Sequence, residues 1–244
     1  MTVSRSDERP YAEVRSLGVV VMAVPPLDHR AAFGLHSGLL YRVDDGGPRI
    51  SHLAWHFDLR DEPANDPYLW ADVGLDEDNS RMVAAWLYAR HNSPSDIPYG
   101  IDSAGACFDK TTQEFIPPPL GKGLTCSTYI VAVLKHLGFS LLLESSWPAD
   151  RQEDHSWQQA VIDKMKEGQA SAEYVASAEK DVGAKRYRPA EVVGAATLSS
   201  PWPVTFVDAA SVAQSVIQDV ERALAKQAAA SGGPNPDSGA AVAN

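Results

Sequence analysis

Cysteine is scarce in this chain. Only two of its 244 residues are cysteines, Cys107 and Cys126, and two are too few for a disulfide framework. They also lack the CxxC spacing that is typical of structural zinc sites. The sequence therefore predicts a protein of a reducing compartment.

Basic residues are also few. The chain has 21 Lys and Arg against 32 Asp and Glu, which gives a formal net charge of -11. Proteins that follow the phosphate backbone of nucleic acids gain affinity by releasing counterions through clustered Lys and Arg, and this sequence has no strong basic run. Nucleic acid is therefore not an expected partner.

The sequence has no long hydrophobic segment. Its start, MTVSRSDERPYAEVRS, is polar and charged and lacks the apolar core of a signal peptide. Nothing later in the chain approaches the roughly 20 apolar residues that span a bilayer. These features predict a cytoplasmic protein without a transmembrane segment, and they weigh against direct action on a periplasmic cell wall.

Both ends of the chain have the composition of unpacked segments. Residues 1–14 are predicted to form a flexible N-terminus, and residues 230–244, which are small, polar and interrupted by Gly and Pro, a disordered tail. The hydrophobic content of 44% is enough for one sizeable core. Residues 15–229 are therefore predicted to form a single domain.

Local patterns predict strands in the first part of this domain. Residues 17–25, LGVVVMAVP, form a β-branched run that ends at two prolines. Residues 35–43, LHSGLLYRV, and residues 49–59, RISHLAWHFDL, flank the turn sequence DDGGP, which is typical of a β-hairpin. The segment from 92 to 123 is interrupted by prolines and is predicted to be an irregular, functional loop.

Helical patterns occupy most of the remaining chain. Capping residues and apolar spacing predict a helix over residues 76–92, and apolar spacing predicts two C-terminal helices over 155–168 and 208–230. Residues 190–198, AEVVGAATL, have a composition that also suits a strand. Together these segments predict an α+β fold.

The stretch GLTCSTYIVAVLKHLG contains a candidate nucleophile. Thr125 is a typical N-cap, which would place Cys126 in the first helical turn, where unpaired N–H groups and the helix dipole favour a thiolate. The apolar run that follows predicts a central buried helix that ends at Gly138. The alternative is that Cys126 is a small buried hydrophobe, because free cysteine is among the most buried residue types.

The predicted hairpin carries histidines that a thiol hydrolase would need as base. Side-chain alternation places His36 and Gly38 on one face of the first strand, and His52 and His56 on one face of the second. Two adjacent strands would then present an imidazole pair, in which one ring acts as base and the other orients it. Ordinary half-buried strand histidines are the alternative, and we prefer that interpretation for His56.

Three short motifs resemble those of a known family. HSGLLYR, ISHLAW and TCSTYIVAVL are similar, in this order, to the motifs of circularly permuted papain-like thiol hydrolases, which include NlpC-type relatives and the lecithin retinol acyltransferase group. The resemblance covers roughly residues 15–140. It implies an antiparallel sheet packed on a central helix that carries the nucleophile, here with extra C-terminal helices.

The resemblance also implies roles for individual residues. Cys126 would be the nucleophile, His36 the base and His52 the polar residue that orients the base, with His56 as a possible substitute for His52. The implied reaction is hydrolysis or acyl transfer at an amide, isopeptide or ester bond through an acyl-enzyme on Cys126. The expected partner is thus a peptide, isopeptide or acyl-ester substrate, and no cofactor or metal is expected.

Other interpretations stay open at this point. The same fold could be a non-catalytic binding module that recruits a partner through its acidic surface and its proline-rich loop. A metalloenzyme is a further alternative, with imidazole and carboxylate donors from His52, His56, Asp58 and Asp61. Cys107 has no apolar helix behind it and is predicted to be a loop or partly buried thiol rather than the nucleophile.

Overall fold

The computed structural model describes residues 3–27, 33–43, 46–65, 67–93, 96–168, 170–199 and 201–231. Over these residues the chain is mixed α+β, with an antiparallel five-stranded sheet and six α-helices. The predicted α+β class is therefore confirmed. None of the helices within these ranges is long and apolar enough to cross a membrane.

The main sheet has the strand order β4-β3-β2-β1-β5. Its strands are β1 (Leu17–Val24), β2 (Gly34–Tyr41), β3 (Arg49–Trp55), β4 (Asp58–Pro63) and β5 (Leu69–Asp72). The predicted antiparallel pairing of β2 with β3 is confirmed, whereas β5 has no clear signal in the sequence. The strands β4 and β5 therefore form opposite edges of the sheet.

The predicted loop from 92 to 123 contains a small second sheet. It pairs β6 (Cys107–Phe108) with β7 (Phe115–Ile116). The helices are α1 (Glu77–Arg90), α2 (Cys126–His136), α3 (Gln152–Glu167), α4 (Ala172–Ala178), α5 (Pro189–Thr197) and α6 (Phe206–Ser231). The predicted helices are confirmed as α1, α2, α3 and α6, and α4 is an addition that the sequence patterns did not indicate.

The strand suggested for residues 190–198 is wrong, because this segment is α5. Pro189 occupies the first turn, and the Glu191 carboxylate accepts the backbone N–H of Arg188 at 3.0 Å. Every residue from Ala190 to Thr197 is buried. A short run that is buried on all sides has no polar face, so periodicity does not distinguish a helix from a strand.

The two faces of the sheet belong to different apolar clusters. Val19, Val21 and Leu39 contribute to the large cluster that the helices cover, whereas the alternating Val20 and Leu40 contribute to a smaller cluster on the opposite face. Strand alternation thus assigns consecutive residues to different layers. His36 and His52, at even-numbered positions of β2 and β3, belong by the same alternation to the smaller-cluster face.

The N-terminal segment covers that opposite face, in contrast to the flexible N-terminus predicted for residues 1–14. Ser4 and Trp70 exchange two backbone hydrogen bonds of 2.8 and 2.9 Å, and the Arg9 guanidinium lies 3.9 Å from the centre of the Trp70 ring. Tyr11 and Val14 are buried in the smaller cluster. The described residues 3–14 are therefore packed on the sheet. A few buried apolar side chains hold this otherwise polar segment in place.

The last helix packs through one apolar stripe. Buried residues recur along α6 at three- and four-residue intervals, at Ala209, Ala213, Val216 and Val220. Because α6 continues to Ser231, the first two residues of the predicted disordered tail 230–244 are helical. Residues 232–244 of that tail lie outside the described residues.

Two glycines allow the chain to enter α2 in close contact with the preceding loop. A Cβ at Gly100 would lie 2.3 Å from the backbone nitrogen of Gly123, and a Cβ at Gly123 would lie 2.2 Å from the carbonyl oxygen of Pro98. Backbone hydrogen bonds join Gly100 to Leu124 at 3.1 Å and Leu124 to Pro98 at 2.9 Å. The start of α2 is therefore held by backbone contacts that a side chain would obstruct.

A buried ion network joins α3 to the start of α5. Asp154 is 1% exposed and lies 2.8 Å from an Arg186 nitrogen and 2.9 Å from Arg188 Nε. Arg151 forms a 2.6 Å contact with Glu191, which is itself buried. Buried charges such as these are tolerated only while every partner is present, because an unpaired ion has no water to solvate it.

We expect Asp154→Ala to reduce the free energy of unfolding by about 3–5 kcal/mol, because it leaves buried arginines without their carboxylate. Asp163→Ala, on the exposed face of the same helix, is the matched control and should change stability by about 1 kcal/mol or less. Urea unfolding of both variants measures the difference. Similar small losses in the two variants would contradict the structural role of the network.

Candidate active site

The helix α2 begins at Cys126, as its sequence predicts. The Thr125 hydroxyl accepts the Thr128 backbone N–H at 3.2 Å, and the Thr128 hydroxyl accepts the Thr125 backbone N–H at 2.7 Å. This reciprocal capping box determines where the helix starts. Cys126 is therefore the first helical residue, at the positive end of the dipole, and it is 6% exposed.

His36 in β2 and His52 in β3 form a direct imidazole pair. His36 Nε2 and His52 Nδ1 are 2.7 Å apart, and the two rings meet edge to face at 78°. The pairing of β2 with β3 ends at Leu39 and Ser51, so both histidines lie beyond the last paired residues. The structure thus brings together the two histidines that strand alternation places on adjacent faces.

Gly38 makes room for the second histidine. A Cβ at this position would lie 2.8 Å from the Cβ of His52 and 2.9 Å from the carbonyl oxygen of Ser51, closer than such atoms approach in proteins. Any side chain at Gly38 would therefore displace His52 from His36. This contact provides a physical reason for the glycine two residues after His36.

Opposing effects act on the thiol of Cys126. Burial raises its pKa, but the charge and hydrogen bond of His36, together with hydrogen bonds from Ser37, lower the pKa to about 7. The ordinary value is 9.0, so the thiol of the folded protein is substantially ionised at neutral pH. The His36 ring is therefore the principal group that promotes the thiolate.

The hydrogen bond between the histidines occupies one of the two ring nitrogens of His36. Because His36 Nε2 is bonded to His52, Nδ1 is the ring nitrogen that remains for Cys126. Burial, and next the adjacent charge of His36, lower the pKa of His52 to about 4, so His52 is neutral at pH 7. A neutral His52 can accept a hydrogen bond at Nδ1 and hold His36 with its basic Nδ1 toward sulfur.

Two tyrosines near the site were not indicated by the sequence patterns. The ring of Tyr68 lies 6.4 Å from that of His36 and 6.1 Å from that of His52, measured between centroids. Burial raises the pKa of both Tyr68 and Tyr99; the negative charges of Glu62 and then Cys126 raise the pKa of Tyr68 further, and that of Cys126 raises the pKa of Tyr99. Both therefore remain neutral hydroxyl groups close to the thiol. Tyr68 immediately precedes the short strand β5, whose sequence has no alternation of apolar and polar residues from which a strand could be predicted.

His56 does not substitute for His52. The β3–β4 register shifts between Leu53 and Trp55, and the strand ends there. His56 Nδ1 instead accepts the backbone N–H of Tyr99 at 3.2 Å, and its ring packs edge-on against Tyr174. The irregularity after Leu53 separates His56 from the face that carries His52.

The donors considered for a metal site are dispersed. Asp61 accepts hydrogen bonds from Tyr41 at 2.8 Å and Arg49 at 2.6 Å, while Asp58 pairs with Arg60 at 2.6 Å. Both carboxylates thus have hydrogen-bond partners other than the histidines. Across the ranges that the structure describes, no three His, Cys, Asp or Glu side chains are grouped so that they could hold a metal ion.

Cys107 lies apart from Cys126. It is exposed on β6, as expected for a loop thiol, and lines a cleft of about 790 Å³ together with His136. His136 is the last residue of α2, whereas Cys126 is the first. The two cysteines are therefore at opposite ends of this helix.

Comparisons with known proteins do not assign this geometry to a family. No family model, no curated protein and no solved structure matches the chain. Conclusions about its chemistry therefore depend on the residues themselves.

We expect iodoacetamide to label Cys126 with a half-maximal rate near pH 7, because the thiolate is the reacting form and the thiol pKa is about 7. His36→Ala removes the largest effect that lowers this pKa and leaves the opposing effect of burial. The midpoint should then move to higher pH. Mass spectrometry of the peptides that contain Cys126 and Cys107 measures both rates in one sample.

His91→Ala is the matched control, because His91 lies at the end of α1 and removing it leaves the sheet intact. It should leave the labelling midpoint of Cys126 unchanged, and the exposed Cys107 reports any change in the reagent. A midpoint that is the same in parent and His36→Ala would show that the imidazole does not act on the thiol.

Proposed function

We propose that this protein is a cysteine-dependent hydrolase or acyltransferase that cleaves an amide, isopeptide or ester bond. The observation that carries the proposal is the 2.7 Å pair of His36 with His52, in which His36 lowers the pKa of the Cys126 thiol at the start of α2. A nucleophile, a base and a group that orients the base are the three parts that covalent acyl transfer requires. The start of α2 provides the fourth requirement, a hydrogen-bond donor for the carbonyl oxygen of the substrate.

The proposed reaction has two steps. The Cys126 thiolate attacks the carbonyl carbon, the proton taken up by His36 passes to the leaving amine or alcohol, and a thioester remains on Cys126. Water, or a second nucleophile in acyl transfer, then attacks the thioester while His36 accepts its proton. The Cys126 sulfur leaves as a thiolate beside protonated His36, and the two groups are then ready for the next reaction cycle.

The start of α2 also supplies a donor for the negative charge that develops on the carbonyl oxygen. The backbone N–H of Cys126 has no acceptor among the described residues, as is usual in the first helical turn. An oxyanion placed there would receive this hydrogen bond and the field of the helix dipole. We therefore assign the Cys126 N–H as one oxyanion donor.

The arrangement supports a permuted papain-like fold as part of the same proposal. The order His36, His52, Cys126 along the chain, the antiparallel sheet and the packing of α2 against β2 and β3 agree with what the motif resemblance implies. The helices α3 to α6 have no counterpart in that resemblance and are additions in this chain. The substrate would then be a peptide, isopeptide or acyl ester.

A non-catalytic binding module is the second candidate. The observation that favours it is the 6% exposure of Cys126, which limits access of a carbonyl group to the sulfur. In that case the lowered thiol pKa would have no catalytic consequence. Formation of an acyl-enzyme separates the two candidates.

We expect p-nitrophenyl acetate to transfer its acetyl group to Cys126, with a burst of nitrophenolate followed by slower turnover. His36→Ala should slow acylation by roughly 10²–10⁴-fold, the usual contribution of a general base, and His52→Ala should slow it less. Stopped-flow absorbance measures the rate, and mass spectrometry of acid-quenched protein locates the acetyl group.

Cys107→Ser is the matched control and should leave both the burst and the labelled position unchanged, because Cys107 lies at the other end of α2. Acetylation confined to Cys107, or none at all, would favour the binding module. Equal losses in His36→Ala and His52→Ala would mean that the roles of the two histidines are assigned wrongly.

A further inference from the structure

One nitrogen of the imidazole pair lacks a hydrogen bond. His52 is 3% exposed, and its Nε2 is buried without a hydrogen-bond partner in the part of the chain that the structure describes. The Glu62 carboxylate is near it, with Oε1 3.5 Å from Nε2. This separation exceeds the 2.7–3.2 Å typical of N–H···O hydrogen bonds, so the two groups interact only electrostatically. A small rotation of the Glu62 side chain would form the hydrogen bond.

We propose that Glu62 is a positioning residue that holds His52 in the tautomer required by the Cys126–His36 pair. This inference rests on the proposed function. It is carried by the orphaned Nε2 of His52 and by the carboxylate that faces it. No contact between Glu62 and the substrate is implied.

The requirement for one tautomer follows from the chain of ring nitrogens. For His36 to accept a proton at Nδ1, its Nε2 must carry the hydrogen that bonds to His52 Nδ1. A neutral His52 that accepts at Nδ1 must carry its own hydrogen at Nε2. That N–H is the buried group without an acceptor, and a carboxylate is the acceptor that stabilises it best.

Strand pairing places Glu62 on the correct face. In the β3–β4 ladder His52 lies opposite Arg60 and Ile50 lies opposite Glu62, so Glu62 is the diagonal neighbour of His52 on the same side of the sheet. The Glu62 side chain is 37% exposed, which leaves it free to rotate toward Nε2. Its position is thus determined by backbone pairing, and only its side-chain angle must change.

Arg60, which lies opposite His52 in the β3–β4 ladder, is hydrogen-bonded to a different carboxylate. Arg60 forms two hydrogen bonds with Asp58, at 3.0 and 2.6 Å, in a bidentate pair. Glu62 therefore remains available to His52. The other groups around the pair, the rings of His36 and Tyr68, contribute no second acceptor at Nε2.

The tautomer can be read without any substrate. In protein with isotope-labelled histidine at pH 7, the nitrogen and carbon chemical shifts of the His52 ring distinguish a hydrogen on Nε2 from one on Nδ1, and His52→Ala identifies the signals. We expect Nε2–H in the parent and a shift toward Nδ1–H in Glu62→Ala. Iodoacetamide labelling of Cys126 at the same pH should slow by roughly tenfold, because His36 would lose part of its ability to promote the thiolate.

Glu62→Gln provides a conservative comparison, because its amide oxygen is a neutral acceptor that can retain the Nε2–H tautomer. It should show an intermediate labelling rate. Glu167→Ala, which removes the same charge from the end of α3, is the control and should behave as the parent. Equal urea midpoints across the series exclude general unfolding as the cause.

The outcomes separate this inference from the proposed function. An unchanged His52 tautomer or an unchanged labelling rate in Glu62→Ala, while His36→Ala still slows labelling, overturns the role of Glu62 and leaves the thiol hydrolase intact. An unchanged labelling rate in His36→Ala overturns the proposed function itself. A changed tautomer together with slower labelling in Glu62→Ala supports the positioning role.

Discussion

The hydrogen bond between His36 Nε2 and His52 Nδ1 is the interaction on which the rest of the site depends. It forms because β2 and β3 stop pairing before they reach the histidines, and because Gly38 leaves space for the second ring. Once Nε2 is engaged, only Nδ1 of His36 is left to face Cys126. The relative placement of the two rings is therefore a consequence of strand geometry.

Burial affects the thiol and the histidine in opposite chemical senses. It disfavours the charged form of each, so it raises the pKa of Cys126 and lowers that of His52. His36 and Ser37 favour the thiolate of Cys126 against the effect of burial, whereas His52 remains neutral and able to accept a hydrogen bond. The site therefore combines a thiol of lowered pKa with an uncharged imidazole.

Much of the fold could be predicted from local patterns, and the failures have a common cause. A β-branched run predicted β1, a turn sequence predicted the β2–β3 hairpin, and capping residues, apolar runs and apolar spacing predicted the helices α1, α2, α3 and α6. In α5 all sides are buried, and residues 3–14 pack through isolated anchors such as Tyr11. In both segments the contacts that decide the structure come from distant parts of the chain, which a local pattern does not record.

The sequence by itself determined that Cys126 begins a helix, because capping is an interaction between residues three positions apart. It also determined that His36 and His52 occupy corresponding strand faces, because alternation is a property of the extended chain. Only the tertiary structure decided that His56 is separated from the pair and that the Glu62 carboxylate lies 3.5 Å from His52 Nε2. A strand irregularity and a cross-strand register produce these placements, and both depend on how separate strands pair.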